Sequence, residues 1–224
     1  MKTVLRTVGF GLLGLVISGL LLFLPAWTFA YWQAWVFLGV FSLTAWIPSI
    51  YLLRTDPAAL ERRMRGGPRA ETRPVQKIVM VFLPLSLAAQ MMLSVLDHRF
   101  GWSAVPPAVS LVGDALVATG LAVAMLALVQ NRYAAANITV EAGQQLASTG
   151  LYGFVRHPMY TGNLIMMVGV PLALGSYWGL LFVIPGLLGL EVRILDEEEL
   201  LARELTGYRE YSQRVRYRLV PHIW

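Results

Sequence analysis

Six apolar runs decide what this chain can fold into. They lie at about residues 8–24, 31–53, 75–96, 107–129, 159–174 and 177–190. A stretch of roughly 20 apolar residues crosses a bilayer as a helix, because a helix pairs its backbone groups within the segment. The first four runs are long enough. The last two are each short for a full span and are separated only by Gly175-Ser176, which predicts a tight helical hairpin. Composition agrees: 57% of the 224 residues are hydrophobic and 14% charged, whereas a soluble domain carries about a quarter charged residues. The expected fold class is an all-α polytopic membrane protein of about six embedded helices, followed by a helical C-terminal segment outside the bilayer.

Local signals refine this reading. Trp27, Tyr31, Trp32 and Trp35 form an aromatic cluster suited to a membrane interface. Pro48, Pro84, Pro171 and Pro185 lie within or at the ends of the runs, which neighbouring helices can accommodate. Lys2 and Arg6 ahead of the first run suit a signal peptide. However, Pro25-Ala26-Trp27-Thr28-Phe29-Ala30 is a poor cleavage site and another span follows at once, so the first run is expected to remain as a helix.

Charge then sets the orientation. If the helices alternate, residues 1–7, 54–77, 131–157 and 193–224 share one side. Those segments carry 17 of the 18 Lys and Arg residues, leaving only Arg99 opposite. Basic residues concentrate on the cytoplasmic side, so both termini and the two long loops are expected there. The net charge of +5 is thus a topology signal and not a nucleic-acid footprint. The run Arg62, Arg63, Arg65, Arg69, Arg73 in the loop at 54–77 is read as this same signal plus contact with anionic lipids. With no cysteine, and with His98, His157 and His222 far apart, thiolate chemistry is excluded and a histidine metal centre is disfavoured.

The outer connections are short or featureless, so chemistry is expected in the two inner segments flanking the hairpin. Residues 138–150 alternate and contain a Glu-Ala-Gly-Gln turn, which suggests an extended loop or small hairpin. Arg156-His157 follow, at the mouth of a helix whose first position is Pro158, a helix-start residue. A helix N-terminus beside a guanidinium suits an anionic ligand group; equally, Arg156 suits lipid phosphates at the interface. In the second segment, Asp196-Glu197-Glu198-Glu199 continue the last apolar run as a helix. Pairing with Arg203 accounts for Glu199. Glu197 and Glu198 fall on adjacent faces near the membrane, where they are placed to meet a cationic ligand.

The pattern Gly-x-Tyr-x-x-x-Arg-His-Pro-x-Tyr-x-Gly from Gly150 to Gly162, with Arg193, Glu197, Glu198 and Leu201 after the hairpin and then Tyr208 and Tyr211, resembles the isoprenylcysteine carboxyl methyltransferase family. More broadly it resembles the membrane methyltransferases that include phospholipid N-methyltransferases. The resemblance covers about residues 131–224, and the ending from Val215 to Pro221 is similar to the bacterial branch. Leu151 stands where proline commonly precedes the tyrosine, a departure of little expected effect. The chain is accordingly divided into four transmembrane helices, 1–130, and a catalytic region, 131–224.

What the resemblance implies is an S-adenosylmethionine site on the cytoplasmic face of a bacterial inner membrane. Arg156, Glu197 and Glu198 are the expected catalytic residues. Tyr152, Val155, His157, Pro158, Tyr160, Gly162, Glu198, Tyr208 and Tyr211 are the expected cofactor contacts. The implied acceptor is lipophilic, an isoprenoid-type or prenylcysteine-like carboxylate or a lipid, entering sideways from the bilayer. A carboxylate is ionised at neutral pH and needs no strong base, so His157 is expected to shape the loop. Phospholipid or amine N-methylation is the nearest alternative. A nicotinamide-dependent membrane reductase and a non-enzymatic membrane protein are more distant ones; against the last, no charged residue sits mid-span.

Overall fold

The computed structural model describes residues 2–64, 66–69, 71–131, 133, 137–141 and 143–224, with Lys2, Ala59, Arg62, Arg63 and Met64 described by their backbone alone. Arg65 and Arg132, and the side chains of Arg62 and Arg63, therefore lie outside the described residues. Among the described residues the fold is all-helical: α1 (Lys2–Ala26), α2 (Trp32–Thr55), α3 (Pro57–Met64), α4 (Pro74–Phe100), α5 (Pro107–Gln130), α6 (Pro158–Ala173), α7 (Val183–Glu204) and α8 (Tyr208–Arg214). Short 3₁₀ turns occupy Gly150–Gly153 and Trp178–Phe182.

Five of these segments are long and apolar enough to cross a membrane, the last being the continuous stretch Trp178–Glu204. The last apolar run is therefore not a short arm. Its helix carries on through the acidic residues, so α7 extends well beyond the hairpin. The other arm is short: the 16 residues of α6 reach about 24 Å at 1.5 Å per residue. Residues 137–141 and 143–149 hold no strand, so the described part of the connection between α5 and the motif is loop.

Backbone contact between α5 and α6 organises the bundle. A Cβ on Gly120 would fall 2.4 Å from the Gly162 carbonyl oxygen, and one on Gly162 would fall 2.4 Å from that of Gly120. Small residues let membrane helices approach this closely, where packing and not the hydrophobic effect drives association. Against this pair, Gln90 of α4 repairs a break in α6. Pro171 has no N–H to offer the Met167 carbonyl one turn earlier, and Gln90 Nε2 donates to that oxygen at 2.8 Å and to the Gly179 oxygen at 3.2 Å.

Two polar clasps close the ends. At one, buried Asp97 accepts from the hydroxyls of Ser103 (2.6 Å) and Ser176 (2.5 Å) and from the Ser103 N–H (2.6 Å), tying together the turns after α4 and α6. At the other lie the basic segments and the motif. Thr3 meets Glu61, the Arg73 guanidinium holds Asp196, and the Arg156 and His157 N–H groups donate to the Tyr217 and Arg218 carbonyls at 2.9 and 3.0 Å. The chemistry-bearing groups thus share one end of the bundle.

Candidate active site

The motif begins by turning sharply at Gly150, which has φ +61° and lies so close to Gln130 that a Cβ would meet its Oε1 at 2.6 Å. The left-handed conformation favours glycine here. Leu151 then donates its N–H to Gln130 Oε1 at 2.8 Å, a bond that proline at this position could not make. The 3₁₀ turn delivers Tyr152, whose hydroxyl faces the Ala127 carbonyl at 3.4 Å. Pro158 opens α6 with His157 just before it.

These elements form a cleft against the C-terminal end of α7 and against α8. Its walls include Tyr152, Arg156, His157, Tyr160, Glu197, Tyr208 and Tyr211 among the expected residues, together with Asn131, Asn137, Gln144, Gln145 and Arg193. Four expected contacts lie elsewhere. Val155 and Pro158 are buried behind the wall, Gly162 is spent on the α5 contact, and Glu198 is not part of the lining.

Glu198 is instead a half-buried ionic hub. Arg218 Nε donates to one oxygen at 2.9 Å, while Arg156 Nε lies 2.8 Å and His157 Nε2 3.1 Å from the other. The Arg156 Nε–H is not aligned on that oxygen and has no hydrogen-bond acceptor, so the pair is held by charge. Arg156 and Glu198 therefore neutralise one another, and the hub fixes the motif to the tail.

Glu197 has the different environment its adjacent face suggests. The Tyr160 hydroxyl donates to it at 2.7 Å and receives Arg193 Nε at 2.8 Å. Arg193 Nη1 donates to Gln76 Oε1 at 2.9 Å, and Gln76 Nε2 donates to Asp196 at 2.6 Å. Asp196 in turn is gripped by Arg73. Arg73, read from sequence as a lipid contact, is thus engaged within the protein, because Asp196 on α7 lies directly opposite it. The Arg73 guanidinium is held above its ordinary pKa chiefly by its hydrogen bond to Asp196. Glu199 pairs with Arg203 at 3.2 Å, as its spacing suggests.

Arg193 belongs to the sequence motif, four residues before Glu197, but no site role was expected of it; its burial comes from packing, which spacing cannot reveal. Gln76 and Glu71 gave no sequence signal at all.

The aromatic wall is strongly desolvated. Burial pushes the Tyr152 hydroxyl up to about 12 and holds those of Tyr208 and Tyr211 well above the usual phenol range. All three remain neutral at physiological pH. The Tyr208 hydroxyl is buried with no hydrogen-bond partner, an uncommon condition that suits a site awaiting a ligand group.

Comparison with known proteins bears on this end of the chain. Residues 109–206 match the family model for phospholipid methyltransferase. The match supports a similarity of this region to the broader membrane methyltransferases. It takes in the α5–α6 pair, the motif and the acidic stretch of α7, and stops just before Tyr208 and Tyr211. A Delta(14)-sterol reductase of Mus musculus is 35% identical over 92 residues, which are 39% of this chain and 22% of that protein. The chain thus spans about a fifth of the length of that relative. The five long apolar segments and the family match together support an integral membrane protein, part of which is similar to phospholipid methyltransferases.

Proposed function

We propose that this chain is an S-adenosylmethionine-dependent methyltransferase that O-methylates the carboxylate of a lipophilic, isoprenoid-type or prenylcysteine-like acceptor at the cytoplasmic face of the membrane. The observation that carries this reading is the cleft. It brings together a carboxylate (Glu197), side-chain amides and five tyrosines, all but Tyr208 and Tyr211 from the region matched by the phospholipid methyltransferase family model.

The donor set fits the cofactor. Glu197 offers acceptors to an ammonium or a ribose diol, and the amides of Asn131, Asn137, Gln144 and Gln145 offer both donors and acceptors to a purine edge. The unpartnered Tyr208 hydroxyl is a further free group. Aromatic faces stabilise a cation placed over them, which suits a sulfonium. When bound, the cofactor supplies an electrophilic methyl group: an acceptor oxygen forms the new O–CH₃ bond as the S–CH₃ bond breaks, and sulfur keeps the electron pair.

The chain's own contribution is positioning. In-line displacement requires the reacting atoms about 3–3.5 Å apart, and no proton has to leave a carboxylate acceptor. Tyr160 and Arg193 hold Glu197 in one orientation, and the Glu198 hub holds Arg156 and His157 on the facing wall. Between α4, α6 and α7 a second, apolar cavity of about 240 Å³ is lined by Leu83, Leu87, Met166, Met167 and Leu190. Leu190 lies one helical turn from Arg193, so this cavity suits the apolar tail of an acceptor.

Two other readings have specific support. The family match favours a phospholipid amine as acceptor, and the similarity to a sterol reductase favours a nicotinamide cofactor. Thermal denaturation of the purified protein separates the cofactors, because a ligand that binds only the folded state raises the midpoint. S-Adenosylmethionine or its demethylated product is expected to do so. A shift with a nicotinamide dinucleotide and none with either S-adenosyl compound overturns the proposal. Mild base then separates the acceptors, since it hydrolyses a methyl ester and spares an N-methyl group.

A further inference from the structure

The loop after α5 forms one side of the cleft through Asn137, Ile138, Thr139 and Gln144–Ala147. It has no strand or helix of its own over 137–141 and 143–149, so its position depends on what moors it. One mooring comes from outside the matched region. Glu71, in the connection between α3 and α4, is 2% exposed. Its Oε2 accepts the Ile138 N–H at 3.1 Å, while Oε1 accepts the Thr72 N–H at 2.9 Å and the Arg73 N–H at 3.4 Å. Beside it, Asn137 and Gly67 exchange two bonds: the Gly67 N–H donates to Asn137 Oδ1 at 3.0 Å, and Asn137 Nδ2 donates to the Gly67 carbonyl at 3.4 Å.

We propose that Glu71 is a positioning residue for the cofactor cleft, fixing the cleft-lining loop by holding the Ile138 N–H while it orders its own turn.

The inference rests on the cofactor reading above for its effect on binding, and on geometry alone for the mooring. A carboxylate is suited to this task because it accepts several backbone N–H groups at once and its bonds are charge-assisted. Glutamine offers one acceptor oxygen and turns an N–H toward the remaining donor. Burial makes the loss costly, since a desolvated N–H at Ile138 would be left without a partner. The enclosed part of the cleft measures about 90 Å³, well below the roughly 300–1,000 Å³ of small-molecule sites. Where the loop stands therefore bears directly on the room left for a nucleoside-sized ligand, and Glu71 holds it there. The connection between α3 and α4 is thus part of the site's framework as well as a carrier of positive charge.

The test uses the protein in detergent and the variants Glu71→Ala and Glu71→Gln. Hydrogen exchange without ligand reads the mooring directly. Glu71→Ala is expected to speed exchange across residues 137–147 while α5, α6 and α7 keep their protection. Equal exchange in that segment overturns the proposal, and Glu71→Gln, whose loop is also expected to exchange faster than wild type, provides the same reading should Glu71→Ala lose protection throughout. Calorimetry with S-adenosylhomocysteine is expected to give a Kd about tenfold higher for Glu71→Ala, with a smaller rise for Glu71→Gln. In turnover the effect is expected in KM for the cofactor and not in kcat. Unchanged affinity in variants whose loop exchange is faster overturns the link to binding. A wild-type protein that binds no S-adenosyl compound instead sinks the functional reading, and the exchange data still decide the mooring.

Discussion

Tyr160 donates its hydroxyl proton to Glu197 at 2.7 Å while accepting from Arg193 at 2.8 Å. One hydroxyl thus links a carboxylate of the cleft wall to a buried guanidinium, and neither charge meets the other directly in these bonds. Replacing Tyr160 with phenylalanine keeps the ring but leaves both groups short of a partner. The expected result is a loss of about 1–3 kcal/mol in stability together with turnover lowered by ten-fold or more. Denaturation midpoints and methyl-transfer rates of Tyr160→Phe check both, and wild-type turnover removes Glu197 from the proposed site.

The ionic hub at Glu198 predicts a different pattern. Breaking a buried pair by removing one partner costs about 3–5 kcal/mol, and Glu198 serves Arg156, His157 and Arg218 together. Partial exposure lowers that figure, so Glu198→Ala is expected to cost about 2–3 kcal/mol. A double-mutant cycle with Arg218→Ala should show strong coupling. Additive losses, measured by chemical denaturation, argue that the hub is not a unit.

Gly162 is expected to fail through packing and not through chemistry. A methyl group there would meet the Gly120 carbonyl oxygen at 2.4 Å and the Ala124 nitrogen at 2.7 Å. Forcing the helices apart costs typically 1–3 kcal/mol. Gly162→Ala should lower the thermal midpoint while leaving cofactor affinity at low temperature near the wild-type value. A selective loss of affinity with an unchanged midpoint would return Gly162 to the binding site.

Gln90→Leu tests the repair of α6. It removes donors from the Met167 and Gly179 carbonyls, and hydrogen bonds between membrane helices are worth about 0.6 kcal/mol on average and up to about 1.7. A destabilisation of about 1 kcal/mol is expected. No measurable change would mean that those carbonyls find other partners.

The tyrosine wall predicts an alkaline limit. Burial raises the Tyr152 hydroxyl to about 12, and Tyr208 and Tyr211 shift in the same direction. A raised folded-state value favours the protonated form, so this stability is fully present below about pH 10. It is lost as pH climbs from there through the folded-state values. Tyr152→Phe should flatten the decline in stability between about pH 10 and 12. An unaltered alkaline profile in that variant excludes Tyr152 as a contributor.

Several features were legible in the chain alone because they are local. Apolar length announces a spanning helix whatever lies beside it, and the five long segments begin and end within a few residues of the apolar runs, except where α7 continues through its acidic end. Pro158 marks the start of α6 by its own geometry. The motif likewise brought Arg156, Tyr160, Glu197 and Tyr208 forward as residues that the fold gathers around one cleft.

Partnership was decided only in three dimensions. Glu197 and Glu198 are neighbours with the same chemistry, yet one faces the cleft and the other is enclosed by two guanidinium groups and an imidazole. Arg73 reaches Asp196 across 123 residues, and Glu71 reaches Ile138 across 67. Such pairings depend on the rotation and depth of packed helices, which hydropathy does not encode. The sequence therefore determined which segments enter the membrane and which residue types stand at its surface, while tertiary packing decided which charges neutralise one another and which remain to meet a ligand.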